Sequence, residues 1–163
     1  NQPCIASGKI DYDWSVQGNA AFFARLYHQH FAGWQHRVKH RVHTPNNKAV
    51  AFDVTNKGIT CEKKWSKEEN VFTQSGPRYL SPFGADAKLT GSGRILLAPT
   101  DIIQALSVLA NSPAQMQVQM RANNHLLNID FENSLGKYSV FIPSCTTSGK
   151  RDARYFTKFT PND

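Results

Sequence analysis

Five of the six histidines lie in one stretch, residues 27–43, which reads YHQHFAGWQHRVKHRVH. Imidazole can bind a transition metal, act as a general acid or base, or gain positive charge as the pH falls below about 6.5. The same stretch contains Trp34, Arg37, Lys39 and Arg41. Its chemistry depends on its secondary structure, because a helix and a strand place different residues on one face.

On a strand, alternate residues share a face, so the cations of this stretch would lie together on one side. Val38 and Val42 would lie on the opposite side with His36 and His40, and branched side chains of this kind favour a strand. We therefore predict an exposed basic, His-rich face whose binding residues are Trp34, Arg37, Lys39, Arg41 and His43.

A metal site is an alternative interpretation of the same histidines. On a helix, His36, His40 and His43 would share a face, and His28 with His30 could chelate from one face of a strand. However, the sequence has no Asp or Glu between Asp13 and Asp53, so a supporting carboxylate would have to come from elsewhere. We therefore predict no structural metal ion, although adventitious binding of transition metals is expected. The weak candidate ligands are His28, His30, His36 and His40.

Catalysis is a second alternative. Two histidines and a lysine could cleave a phosphodiester by acid–base chemistry, and the residues available are His30, Lys39, His40 and His125. A cysteine–histidine pair would need Cys61 or Cys145, and neither lies in a catalytic signature. The chain contains no nucleophile elbow, zinc-protease motif, phosphate-binding loop or dinucleotide fingerprint. We expect no catalytic residues and no cofactor.

Composition favours an anionic partner. The chain has 163 residues, 19 Lys and Arg against 12 Asp and Glu, and a formal net charge of +7. Such an excess of positive charge indicates which partners the chain can attract, but it does not indicate the fold. Trp34 beside Arg37 could stack on a nucleic-acid base, and further cations occur as Lys63, Lys64, Lys67, Lys150, Arg151 and Arg154. Because no nucleic-acid-binding motif accompanies them, the predicted partner is a protein or an anionic envelope polymer, with nucleic acid as a further class.

The compartment is inferred from the chain start and the cysteines. The sequence begins NQPCIASG without Met, as it would after removal of a signal peptide or at a cloning boundary. It has no N-glycosylation sequon, which favours a bacterial origin, and no apolar run of about 18 residues that could span a membrane. We predict a periplasmic or extracellular protein with one disulfide. The sequence does not decide which cysteines pair; Cys4 with Cys145 is our candidate, worth about 4 to 5 kcal/mol for so long a loop.

Alternating apolar and polar residues predict most of the elements. The alternation occurs in six segments, and TNKG at 55–58 is typical of a tight hairpin turn. Helical spacing of Ile102, Ile103, Leu106 and Leu109 predicts a helix over 100–110 with Thr100 as its N-cap and Asp101 in its first turn. The six strand segments are 9–16, 49–55, 115–120, 126–131, 138–142 and 154–159.

Two other segments are harder to assign. Residues 17–31 tolerate a helix at their start, and we predict a strand at their end. Residues 74–93 are rich in Gly, Pro and Ser, so we predict a long irregular loop there, with Gly91 and Gly93 in a bulge or turn.

Together these features predict an α+β domain spanning 1–163. A mostly antiparallel, curved sheet or open barrel would pack against one main helix at about 100–110. The predicted function is an exported, non-catalytic binding or assembly module. The alternatives are a small basic hydrolase acting on a polyanion and a metal-binding protein. The oligomeric state is left open by the sequence.

Overall fold

The computed structural model describes residues 10–31, 49–62, 64–66, 71–73, 80–147, 150, 151 and 153–163. The chain is α+β, with two helices and antiparallel sheets among these residues. The helices are α1 (Ala20–His30) and α2 (Pro99–Ala110). The strands are β1 (Trp14–Asn19), β2 (Val50–Thr55), β3 (Gly58–Glu62), β4 (Lys64–Ser66), β5 (Val71–Thr73), β6 (Ala87–Gly91), β7 (Gly93–Leu97), β8 (Gln117–Ala122), β9 (Leu126–Glu132), β10 (Gly136–Pro143) and β11 (Phe156–Pro161).

The strands divide between sheets. The largest has six strands in the order β11-β10-β9-β8-β1-β6, a second has the order β3-β2-β7, and β4 pairs with β5. This differs from the prediction of one curved sheet or open barrel. The large sheet has edges, at β11 and β6. The predicted hairpin is confirmed, because Thr55 pairs with Gly58 across the turn between β2 and β3.

Helix α1 replaces the strand predicted at the end of residues 17–31. Asn19 caps it by accepting a hydrogen bond from the backbone N–H of Phe22 at 3.2 Å. Phe22, Leu26 and His30 are buried at intervals of four residues, which is the helical period. Apolar residues near Phe31 are compatible with the alternation of a strand. Over the whole segment, however, the buried residues follow the spacing of a helix.

Helix α2 confirms the predicted helix at about 100–110, with a different cap. Its N-cap is Ala98, which makes no side-chain capping bond, and Pro99 occupies the first turn. Thr100 is therefore not the cap. Proline suits this position because its fixed φ is already helical and its missing N–H is not needed there. Asp101 lies in the first turn as predicted, and its side chain is buried.

One hydrophobic core joins the two larger sheets and both helices. Trp14 of β1 stacks on Phe52 of β2 with ring centroids 6.2 Å apart. Met116 and Met120 are buried in this core. The inner face of the six-stranded sheet, as we call it, carries Met120 and Ile129 into the core, and its outer face carries the intervening polar side chains.

Strand β6 lies within the segment predicted as an irregular loop. It pairs with β1 over five residues. Because Leu89 is its sole large apolar residue, its sequence has no alternating pattern that would predict a strand. The chain then crosses from β6 to β7 through Ser92. Gly91 has φ of +81°, and a side chain on Gly93 would lie 2.9 Å from Cδ1 of Trp14. The two glycines therefore form a turn fitted against β1.

Candidate functional site

The inner face of the large sheet is incompletely covered near its β11 edge. Helix α2 packs over part of this face and leaves a groove of about 310 Å³ between itself and β9, β10 and β11. The β10 sequence alternates, so that Tyr138, Val140 and Ile142 point to the same side. Ile142 reaches the core, whereas Tyr138 and Val140 are partly exposed in the groove wall.

Stacked aromatic rings form the floor of the groove. Phe131 of β9 stacks on Tyr138 of β10 at 4.9 Å and 11°, and Phe159 of β11 continues the row at 4.7 Å from Tyr138. Tyr155 stands at the rim, where its hydroxyl donates a hydrogen bond to Oε1 of Gln104 on α2 at 2.6 Å. This bond fixes the Tyr155 ring beside the opening.

Exposed apolar side chains occur in and beside the same groove: Val108 and Tyr155 line it, and Phe159 contacts Tyr138 of its lining. Among the described residues five large hydrophobic side chains are exposed, and Leu80 is the one that lies elsewhere. The other four are on α2, on the β9–β10 turn, beside β11 and on β11 itself. We call them the apolar rim: Val108 (52% exposed), Leu135 (65%), Tyr155 (37%) and Phe159 (47%). A clustered patch of this kind is typical of an interaction site, whereas single exposed hydrophobics are ordinary.

The outer face of the sheet carries a second, polar groove of about 690 Å³. At one side Asn128 is fully buried and donates to Oδ1 of Asp130 at 3.1 Å and to Oγ of Ser139 at 3.0 Å. Arg121 donates through Nε to Oδ1 of Asn128 at 2.9 Å and lies 3.4 Å from Oδ2 of Asp130. Ser139 also donates to Asp130. These groups satisfy one another, so the network stabilises the sheet.

Tyr12 belongs to the edge of this network. The Arg121 guanidinium lies 4.5 Å from the centre of its ring. Partial burial raises the pKa of the Tyr12 hydroxyl, Arg121 lowers it in part, and the Asp130 carboxylate raises it. Tyr12 is therefore a neutral phenol at physiological pH and not a proton acceptor.

His30 and Ser81 form a hydrogen-bonded pair, with Nε2 of His30 3.0 Å from Oγ of Ser81. Both are buried. Ser81 donates its hydroxyl proton to Oε1 of Gln29 at 2.8 Å, so in this pair the His30 nitrogen is the donor. That is the reverse of the arrangement in which histidine activates a serine nucleophile. The backbone of Ser81 pairs with Ile59 of β3, so the pair ties α1 to the second sheet.

The structure separates the histidine candidates that it describes. His28 is exposed and His30 is buried on α1, so they do not chelate from one face, as they would on a strand. His125 is exposed in the turn between β8 and β9. Among the described residues no group of three His, Cys, Asp or Glu could hold a metal ion. The remaining predicted site residues lie outside the described residues: Trp34, His36, Arg37, Lys39, His40, Arg41 and His43.

Cys145 is a buried thiol that has no disulfide partner among the described residues. Burial raises its pKa to about 11, with a further increase from Asp101 that Arg151 partly opposes. A thiol with such a pKa is almost entirely protonated at neutral pH and is a poor nucleophile, which argues against a Cys145–histidine catalytic pair. Cys61 is fully buried. Cys4 lies outside the described residues, so its pairing with Cys145 stays a prediction.

The sequence pattern of β9 and β10 did not indicate the groove that Phe131, Tyr138 and Val140 line. Their alternation correctly placed them on the inner face. Whether that face is covered depends on where α2 ends, after Ala110, and on β11 extending the sheet beyond it. Val108 was the one local signal, because this apolar residue lies outside the helical spacing of Ile102, Ile103, Leu106 and Leu109.

No family model matches the chain, and no curated protein matches it. Among solved structures, the PCNA2-PCNA3 complex from Sulfolobus tokodaii is similar over 83% of this chain with a TM-score of 0.47 and 8% identity. The chain covers 48% of that structure's chain, about half its length. Among the described residues, no helix is long and apolar enough to cross a membrane.

Proposed function

We propose that the chain is a non-catalytic binding or assembly module and that its partner is a protein. The observation that carries the proposal is the inner-face groove, which is lined by the exposed Val108 and Tyr155 and adjoined by the exposed Phe159. Burial of these side chains against a partner would remove apolar surface from water, at about 25 cal/mol per Å².

The basic, His-rich face is a second part of the proposal. It would give an anionic or acidic partner a longer-range attraction, whereas the apolar rim would supply the short-range contact. Its residues lie outside the described ones, so the support for it is the sequence and the net charge of +7. Export to the periplasm or the cell exterior belongs to the same proposal. A disulfide between Cys4 and Cys145, found by peptide mapping without reduction, would support it.

Affinity enrichment from the native host tests the proposal. Val108→Asp puts a charge in the apolar rim at a position that is half exposed, so the fold should persist. Lys88→Glu is the matched control, since Lys88 is exposed on β6, at the other edge of the sheet. We expect at least one protein to be retained by wild type and by Lys88→Glu and reduced at least tenfold with Val108→Asp. Equal retention by all three would contradict the proposal.

The two alternatives are checked with the same purified protein. Turnover of a nucleic acid, lost in His30→Ala while the circular dichroism spectrum is unchanged, would favour the hydrolase. Stoichiometric zinc or copper after purification without an affinity tag would favour the metal-binding protein. We expect neither result.

A further inference from the structure

Strand β11 forms one edge of the six-stranded sheet, and among the described residues it pairs with β10 alone. The register shows which residues of β11 direct their backbone N–H and C=O groups toward β10. Thr160 is opposite Lys137, so Asn162 is opposite Leu135, and the N–H of Asn162 donates to the carbonyl of Leu135 at 3.0 Å. Because such pairs recur at every second residue of an antiparallel ladder, the N–H and C=O of Thr157 and Phe159 point away from β10.

The two residues whose backbone groups point away from β10, Thr157 and Phe159, also place their side chains on the face of the sheet that contains the groove. The side chains of Thr157 and Phe159 belong to the inner face, since Thr157 is opposite Val140 and Phe159 is opposite Tyr138. A strand added to this edge would place its own inner-face side chains about 4.5 to 5.5 Å from those of β11. These side chains would extend the row of Phe131, Tyr138 and Phe159 and cover the apolar rim.

The charge of Lys158 determines which side chains would be favoured on the outer face of such a strand. Lys158 is the sole charged residue of β11, it is exposed, and it lies on the outer face opposite Ser139. On β10, the neighbouring Lys137 is opposite Glu132 of β9, so its charge already has a partner of opposite sign nearby. An acidic side chain on the outer face of the added strand would meet Lys158, where a cross-strand pair of opposite charge contributes roughly 0.2 to 1 kcal/mol.

Charge favours a strand from another protein over a second copy of this chain. In a twofold pairing of β11 with β11, centred on Thr157, Lys158 or Phe159, the two Lys158 side chains are directly opposite or one pair apart on one face, and like charges there repel.

We propose that the β11 edge takes an extended strand from another protein, with apolar residues toward the groove and acidic residues toward Lys158. The inference rests on the proposed binding function and names the mode of recognition, in which backbone hydrogen bonds give affinity and alternate side chains give selectivity. Thr157 and Phe159 would supply the backbone donors and acceptors. Pro161, which has no N–H, would end the pairing.

A synthetic ten-residue peptide of alternating valine and glutamate is the probe. We expect it to bind, by fluorescence anisotropy, at least tenfold more tightly than a valine–lysine peptide or a backbone N-methylated valine–glutamate peptide. Thr157→Pro removes an outward N–H and should weaken binding at least tenfold. Thr157→Val keeps that N–H and should stay within about twofold of wild type. Equal binding of the N-methylated peptide, or no effect of Thr157→Pro, would overturn the proposal.

Amide hydrogen exchange on the wild-type protein gives a test that does not depend on a proline variant folding. Addition of the peptide should slow exchange at Thr157 and Phe159 and leave Lys158, which already bonds to β10, nearly unchanged. A concentration-dependent dimer that Thr157→Pro abolishes would assign the edge to a second copy instead. If Val108→Asp loses a host protein and the peptide neither binds nor slows exchange, the binding function stands and the strand-addition mode fails.

Discussion

At the scale of the residue, Cys145 combines burial with an unfavourable electrostatic setting for a thiolate. Its pKa of about 11 means that about 0.1% of the thiol is ionised at pH 8, against about a quarter for a free cysteine of pKa about 8.5. Since the thiolate is the reactive form, we predict that Cys145 in the reduced, folded protein reacts with iodoacetamide at least tenfold more slowly than free cysteine at pH 8. Peptide-resolved mass spectrometry measures this rate.

The same shift predicts a pH dependence of stability. In the unfolded chain the thiol ionises near pH 8.5, whereas in the folded chain it stays protonated until about pH 11, so the unfolded state loses its proton first. The contribution of Cys145 is therefore complete below about pH 8.5 and is lost as the pH rises toward 11. The free energy of unfolding of wild type, measured in urea, should fall relative to that of Cys145→Ser over this interval. Rapid alkylation of Cys145, together with the same pH dependence of the unfolding free energy in wild type and Cys145→Ser, would contradict a raised pKa for this thiol.

At the scale of the element, the sequence was informative where an apolar period was complete. Strands β2, β8, β9, β10 and β11, helix α2 and the turn at 55–58 were predicted, since each carries its own alternation, helical spacing or turn residues. Helix α1 was assigned in part and β6 was missed. Strand β6 has one large apolar residue, Leu89, and owes its existence to pairing with β1, a long-range contact that no local pattern records.

The passage from β6 to β7 depends on Gly91. Its φ is +81°, and a Cβ there would lie 2.2 Å from the carbonyl oxygen of Asp13. Gly91→Ala would therefore strain the backbone and push β6 from β1, and we predict a loss of about 2 to 4 kcal/mol in the free energy of unfolding. Gly84→Ala is the matched control, because its Cβ would meet nothing nearer than Oδ1 of Asp86 at 3.5 Å. Similar midpoints for both variants in urea would refute the strain.

At the scale of the whole molecule, two kinds of surface would share the work of binding. The described apolar rim and the backbone groups of the β11 edge are short-range features that depend little on salt, apart from the single charge of Lys158. The net charge of +7 and the histidines of residues 27–43 act over about a Debye length, roughly 8 Å at physiological ionic strength. Salt and pH therefore separate the two contributions: an association that depends on the rim should persist in salt, whereas one that depends on the basic face should not.

The basic-face prediction is tested with a random-sequence DNA duplex as a polyanion probe. If Arg37, Lys39 and Arg41 contact phosphates, replacing all three with Ala should lower the slope of log K against log salt by roughly 2 to 3, since each phosphate contact contributes about 0.9. The matched control replaces the exposed lysines Lys57, Lys88 and Lys137 and removes the same charge. Wild-type binding should also strengthen below about pH 6.5, because the imidazoles gain a proton and the face gains charge. Equal losses in the two triple variants would attribute binding to net charge alone, and the residues of 27–43 would have no special role.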